Sequence, residues 1–150
     1  MKLSHTLLPA AAGVGLSLIL AAAATGAGNP IEERQATMKH IAQTVKESSG
    51  YMTGKDAWDA GKVKALMASI AADAKKAHGL FPKGSDKGDK TEALPKIWEN
   101  KSDFDKKLDE MAAAAAAAGK SASADEFKTS FKALGGTCKS CHDVYREKKS

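Results

Sequence analysis

SADEFKTSFKALGGTCKSCHDVYREKK, residues 123–149, reads as one amphipathic helix with its own start signal. Ser123 followed three residues on by Glu126 is a capping box. Phe127, Phe131, Leu134, Cys138, Cys141 and Tyr145 then recur at intervals of three and four, which places them on one helical face. The closing VYREKK reads as the same helix carried on. Upstream the pattern repeats. Ala, Lys and Glu abound, Val and Ile are scarce, and no long alternating run suggests a strand. After the first residues, proline occurs only at Pro30, Pro82 and Pro95, so 31–81 and 96–150 hold no such helix breaker.

Three further helices follow from these cues. The first starts at Asn29 as N-cap, with Pro30 next and Glu32 in its first turn, and Gly50 is expected to stop it. Ile31, Met38 and Val45 repeat every seven residues, with Ile41 between, and make its apolar stripe. The second runs from about Trp58 to His78, with Val63, Leu66, Met67, Ile70, Ala74 and Ala77 inward and Gly79 as its end. The third runs from near Pro95 to Ala118, with Ile97, Phe104, Leu108, Met111 and Ala118 inward. Its run Ala112–Ala118 is helix-forming and compact, which suits close packing. A polar loop, 81–93, joins the halves. The fold class is all-α, an antiparallel four-helix bundle.

The chain carries 23 Lys+Arg against 18 Asp+Glu, a formal +5. No aromatic-studded basic run accompanies this charge, so nucleic acid is not an expected partner. Residues 1–28 read as a signal peptide. Lys2 precedes an apolar stretch from Leu7 to Ala24, and small residues follow around Thr25-Gly26-Ala27. The expected domain is then 29–150, exported to the periplasm and not membrane-bound after cleavage.

An oxidising compartment leaves two cysteines three fates: a disulfide, a metal site or a cofactor. Positions i, i+3 and i+4 of a helix face one side, so Cys138, Cys141 and His142 project together. Two thiols so placed add across the two vinyl groups of a haem, each S–H bond giving an S–C and a C–H bond. The adjacent imidazole then binds the iron. This spacing reads as c-type haem attachment. A thioredoxin-like pair needs a strand before it, and the sequence shows none. Structural zinc wants four ligands, and His40 and His78 have no second partner nearby. A plain disulfide leaves His142 unexplained.

The sixth position of the iron decides the chemistry. Met38, mid-stripe on the first helix, is the leading candidate, with Met111 behind it. His40 lies about 200° round the helix from Met38 and reads as a surface residue.

With ERQATMK (33–39), LFPKGSDKGD (80–89), LPKIWEN (94–100), Phe104 and CKSCHDVYREKK (138–149), the chain resembles the class II cytochromes c. These comprise the cytochromes c′ and their low-spin relatives, and the likeness covers nearly all of 30–150. The resemblance implies thioethers at Cys138 and Cys141, with His142 as the proximal ligand. It puts Arg34 and Gln35 among haem-contacting residues, and it places Asp89 in a loop near the haem. Arg34 and Arg146 are implied as partners for the haem propionates. Met38 falls at the family's distal position, where low-spin members bind iron and many five-coordinate members place an apolar cover. Homodimers through the first two helices are also implied.

The expected function is a periplasmic electron carrier with one haem c ligated by His142 and Met38. Lys128, Lys132, Lys139, Arg146, Lys148 and Lys149 would steer an acidic redox partner. The alternative is a five-coordinate cytochrome that binds nitric oxide or carbon monoxide. An enzyme such as a peroxidase needs a polar acid/base beside the iron, and the first helix offers no inward histidine.

Overall fold

The computed structural model of the chain describes residues 28–88 and 90–148. Among them lie five α-helices and one 3-10 turn: α1 (Pro30–Thr53), α2 (Ala60–Ala77), the turn His78–Leu80, α3 (Lys96–Glu99), α4 (Lys101–Ala118) and α5 (Ala124–Tyr145). The four long helices pack in a ring, α1 on α2, α2 on α4, α4 on α5 and α5 on α1. This is the expected antiparallel four-helix bundle. No helix among the described residues is long and apolar enough to cross a membrane. The signal segment lies outside the described residues but for Gly28.

The helix starts follow local chemistry. The Asn29 side chain accepts from the Ile31 amide at 3.0 Å, with Pro30 behind it. Asp59 caps α2 by accepting from the Lys62 amide at 2.9 Å. Ser123 accepts from the Glu126 amide, while Glu126 reaches back to the amide of Ala122 at 2.8 Å. Each bond satisfies a donor that an isolated helix end leaves open.

Four sequence expectations about boundaries are corrected. The first helix does not stop at Gly50. That glycine is buried inside α1, where a Cβ would fall on the Asp56 carboxylate. The stop is Gly54, whose φ of 76° is left-handed and suits glycine. The second helix does not end at Gly79 but tightens into the 3-10 turn. His78 holds that turn to α4 through Asp105 at 3.2 Å and Asp109 at 3.1 Å. The third helix is broken at Asn100, whose φ of −125° and ψ of 48° leave the helical region. Finally, VYREKK does not continue α5. Arg146 turns extended (φ −116°, ψ 139°) and pairs with Ala93 in an antiparallel bridge.

The inward faces of α2, α4 and α5 are those the periodicity gives. Val63, Met67, Ile70, Ala74 and Ala77 are buried on α2, with Leu66 half-buried. Ile97, Phe104, Leu108, Met111, Ala112, Ala115 and Ala118 are buried along α3 and α4. On α1 Ile31 and Ile41 are buried as expected, Met38 and Val45 are half-buried, and the buried line is otherwise more polar: Arg34, Thr37, Thr44, Ser48 and Tyr51. The Thr44 and Ser48 hydroxyls donate to carbonyls one turn back, His40 O at 3.0 Å and Thr44 O at 2.7 Å. That internal bonding lets them sit against the core without unpaired polar atoms.

Two aromatic clusters sit at opposite ends, since Phe127 and Tyr145 are about 27 Å apart along α5 at 1.5 Å per residue. One holds Trp58, Phe127 and Phe131, with centroids 5.8 and 5.0 Å apart. The other holds Phe81, Phe104 and Tyr145, at 4.6 and 5.3 Å.

Candidate functional site

At the Tyr145 end the ring of helices leaves a cavity of about 500 Å³. This is within the range of sites that enclose a sizeable organic ligand. α5 contributes Thr137, Cys138, Cys141, His142 and Tyr145 to one wall. α1 contributes Arg34, Gln35, Met38, Ile41, Ala42 and Val45 to another. Phe104, Lys107, Leu108 and Met111 of α4 line a third. The loop before α3 closes the remainder with Lys90, Thr91, Glu92 and Ala93, and Arg146 stands at the rim.

The structure therefore brings Cys138, Cys141, His142, Arg34, Gln35, Met38 and Arg146 to one cavity. Asp89 lies outside the described residues. His40 faces away, exposed, and pairs with Asp73 of α2 at 2.6 Å. Among the described residues lining the cavity, His142 is the single histidine.

The electrostatics suit a haem attachment site. The two cysteines are half-buried and not joined to each other. Burial raises the thiol of Cys138, and it pushes Cys141 up to about 11, against the pull of Lys107. Both are thus held as protonated thiols, the form whose S–H adds across a vinyl group. Burial lowers the proton affinity of His142, and Arg146 lowers it further. The ring is kept neutral, with a lone pair for a metal. The α1 wall is mixed, with Arg34 and Gln35 toward its start and Met38, Ile41, Ala42 and Val45 beyond them. No group of three or more His, Cys, Asp or Glu among the described residues forms a metal site of its own. The donor set fits a prosthetic group that brings its own metal.

Tyr145 lies on the inward face as expected, and its hydroxyl also donates to Asp103 of α4 at 2.6 Å. Two residues beside the site lacked a sequence signal. Ser85 and Thr91, in the polar loop, hold Arg34 by hydrogen bonds. Their spacing from Arg34, 51 and 57 residues, carries no periodicity that a sequence shows.

The family model described as Cytochrome C' matches residues 29–146. A cytochrome c′ of Rhodopseudomonas palustris is 38% identical over 91% of this chain and 94% of its own length. A cytochrome c-556 of Agrobacterium fabrum is 35% identical over 87% of this chain and 89% of its own. Among solved structures, cytochrome c′ from Rhodopseudomonas palustris matches with a TM-score of 0.77 and 40% identity, covering 81% of this chain and 98% of that one. Cytochrome c prime from Shewanella frigidimarina matches with a TM-score of 0.69 and 41% identity, covering 80% and 95%.

These matches correct the expected electron carrier with His142 and Met38 as axial ligands. The family model, the 38% identical relative and the solved structures carry the cytochrome c′ name, the five-coordinate branch, and not that of a low-spin Met/His protein. The place of Met38 suits this. It is half-buried, packed against the core in line with Ile41 and Val45, as one member of an apolar cover.

Proposed function

The chain belongs to the cytochrome c′ family, whose members bind one covalent haem c, and from that premise we propose that it binds nitric oxide or carbon monoxide at a five-coordinate iron. The observation that carries this is the asymmetry of the cavity. The α5 wall offers two thiols and the neutral His142 ring; the α1 wall, beyond Arg34 and Gln35, offers Met38, Ile41, Ala42 and Val45 and no second imidazole.

Cys138 and Cys141 would hold the haem through thioether bonds, and His142 would ligate its iron. A haem so held would supply an iron able to take up a diatomic gas. The apolar α1 residues keep the site dry, which favours small uncharged gases over water and anions. Lys107 at the wall and Arg146 at the rim supply positive charge for the haem carboxylates. Removal of a signal peptide at 1–28 places the domain in the periplasm, where covalent attachment prevents loss of the cofactor.

The test is the visible and near-infrared spectrum of the purified holoprotein, with and without carbon monoxide. High-spin ferric iron and a ferrous protein that takes up carbon monoxide are expected. A low-spin spectrum with a methionine–iron charge-transfer band, and no uptake, would overturn the reading.

A further inference from the structure

Arg34 is charged and only 4% exposed. A buried guanidinium must be compensated. Nη1 donates to Ser85 Oγ at 3.1 Å, and Nη2 donates to Ser85 O at 2.8 Å and to Thr91 Oγ1 at 2.6 Å. The guanidinium carbon lies 5.0 Å from the Phe81 ring centroid and 5.7 Å from that of Trp98. The planar fork is thus spent on the loop between α2 and α3.

The same loop is fastened from the other side. The Thr91 hydroxyl also accepts from the Ala93 amide at 3.2 Å. Ala93 pairs with Arg146. The Leu94 amide donates to Tyr145 O at 3.0 Å, and the Glu147 amide to Glu92 O at 2.8 Å. The Arg146 amide in turn donates to His142 O at 3.2 Å. A continuous line of bonds therefore runs from the apolar-cover helix, across the loop, to the backbone of His142.

We propose that Arg34 is a positioning residue. It latches Ser85 and the stretch Thr91–Leu94 as a strap between α1 and the last turn of α5, and so sets how fast gas enters and leaves the cavity. This rests on the gas-binding reading for its rate consequence, but not for the latch itself. Lysine in place of Arg34 keeps the charge and loses the fork that spans Ser85 and Thr91. Thr91→Val removes the shared acceptor without touching Arg34.

The experiment uses holoprotein of the wild type, Arg34→Lys, Arg34→Gln and Thr91→Val. Carbon monoxide association is followed by flash photolysis of the ferrous form, and amide hydrogen exchange is read at Leu94 and Glu147. All three variants are expected to bind carbon monoxide about fivefold faster or more, at the low end of coupling between sites. Exchange at the two amides rises with it, while Met67 and Ile70 in the α2 core stay protected. Wild-type gas rates in Thr91→Val, or full rescue by Arg34→Lys, would overturn the latch and leave Arg34 a simple charge. If the wild type takes up no carbon monoxide, the gas-binding reading falls, and exchange alone decides: faster exchange keeps the latch, unchanged exchange removes it. Should the Arg34 variants fail to fold, Thr91→Val carries the test.

Discussion

Tyr145 shows how one side chain serves both packing and site. It is 3% exposed, its ring meets Phe104 edge-on, and its hydroxyl donates to Asp103. Burial first, then the Asp103 carboxylate, pushes its pKa up to about 12. The folded value lies above the ordinary one near 10, so the stability this phenol contributes is intact below pH 10. It is lost as pH rises from about 10 through about 12. A titration of tyrosinate absorbance should show one late-ionising tyrosine, and Tyr145→Phe should remove it. The same variant should cost about 1 kcal/mol in denaturant unfolding, because the exposed Asp103 can be rehydrated. At this scale the Cys138–Cys141–His142 group was legible, because i, i+3, i+4 spacing is local and the chemistry of two thiols beside an imidazole is narrow. Arg34 was legible as a site residue but not as a loop clasp. Its partners come from far along the chain, and serines and threonines in a polar loop look alike until the loop is folded.

Among the elements, α1 reports most clearly on what glycine does. Gly54 takes a left-handed φ with nothing within 4 Å of an added Cβ. Gly54→Ala should therefore cost only backbone strain, about 1–2 kcal/mol, and lower the melting temperature by a few degrees without altering haem content. Ser123→Ala should cost about 1 kcal/mol by opening the α5 cap, again visible in melting and silent in the haem spectrum. Helix existence and facing were readable because seven-residue repeats of Ile, Met, Phe and Leu record the buried side directly. The stops were not, since nothing in the sequence tells Gly50 from Gly54: the first stays helical with Asp56 packed on it, the second turns left-handed in open space. The tail beyond Tyr145 was misread for a related reason. Its Lys and Glu suit a helix, but pairing with the loop at Ala93 satisfies the same backbone and anchors the loop as well.

For the molecule as a whole, the cavity means that α1 and α4 meet chiefly through whatever fills the space between them. Cys138→Ala/Cys141→Ala, made in a haem-competent host, should lose the haem mass by mass spectrometry. Its circular dichroism should remain helical, while amides of α1 exchange faster than those of α2, because α1 loses the group it covers. An unchanged α1 would mean that the bundle supports that wall unaided.

The two ends of the bundle also differ in how far apart in the chain their contacts lie. At the Trp58–Phe127 end the turns are short, Gly54 to Asp59 and Gly119 to Ser123, so α1–α2 and α4–α5 form as local hairpins. At the haem end the clasps join residues 42, 51 and 57 positions apart. Closing long loops is entropically late, so folding should proceed from the tight-turn end toward the haem end. Stopped-flow measurements on the holoprotein should find that Phe127→Leu mainly slows folding, whereas Thr91→Val mainly speeds unfolding. The end of the bundle that carries Cys138, Cys141 and His142 is then also the end that opens first when the protein begins to come apart.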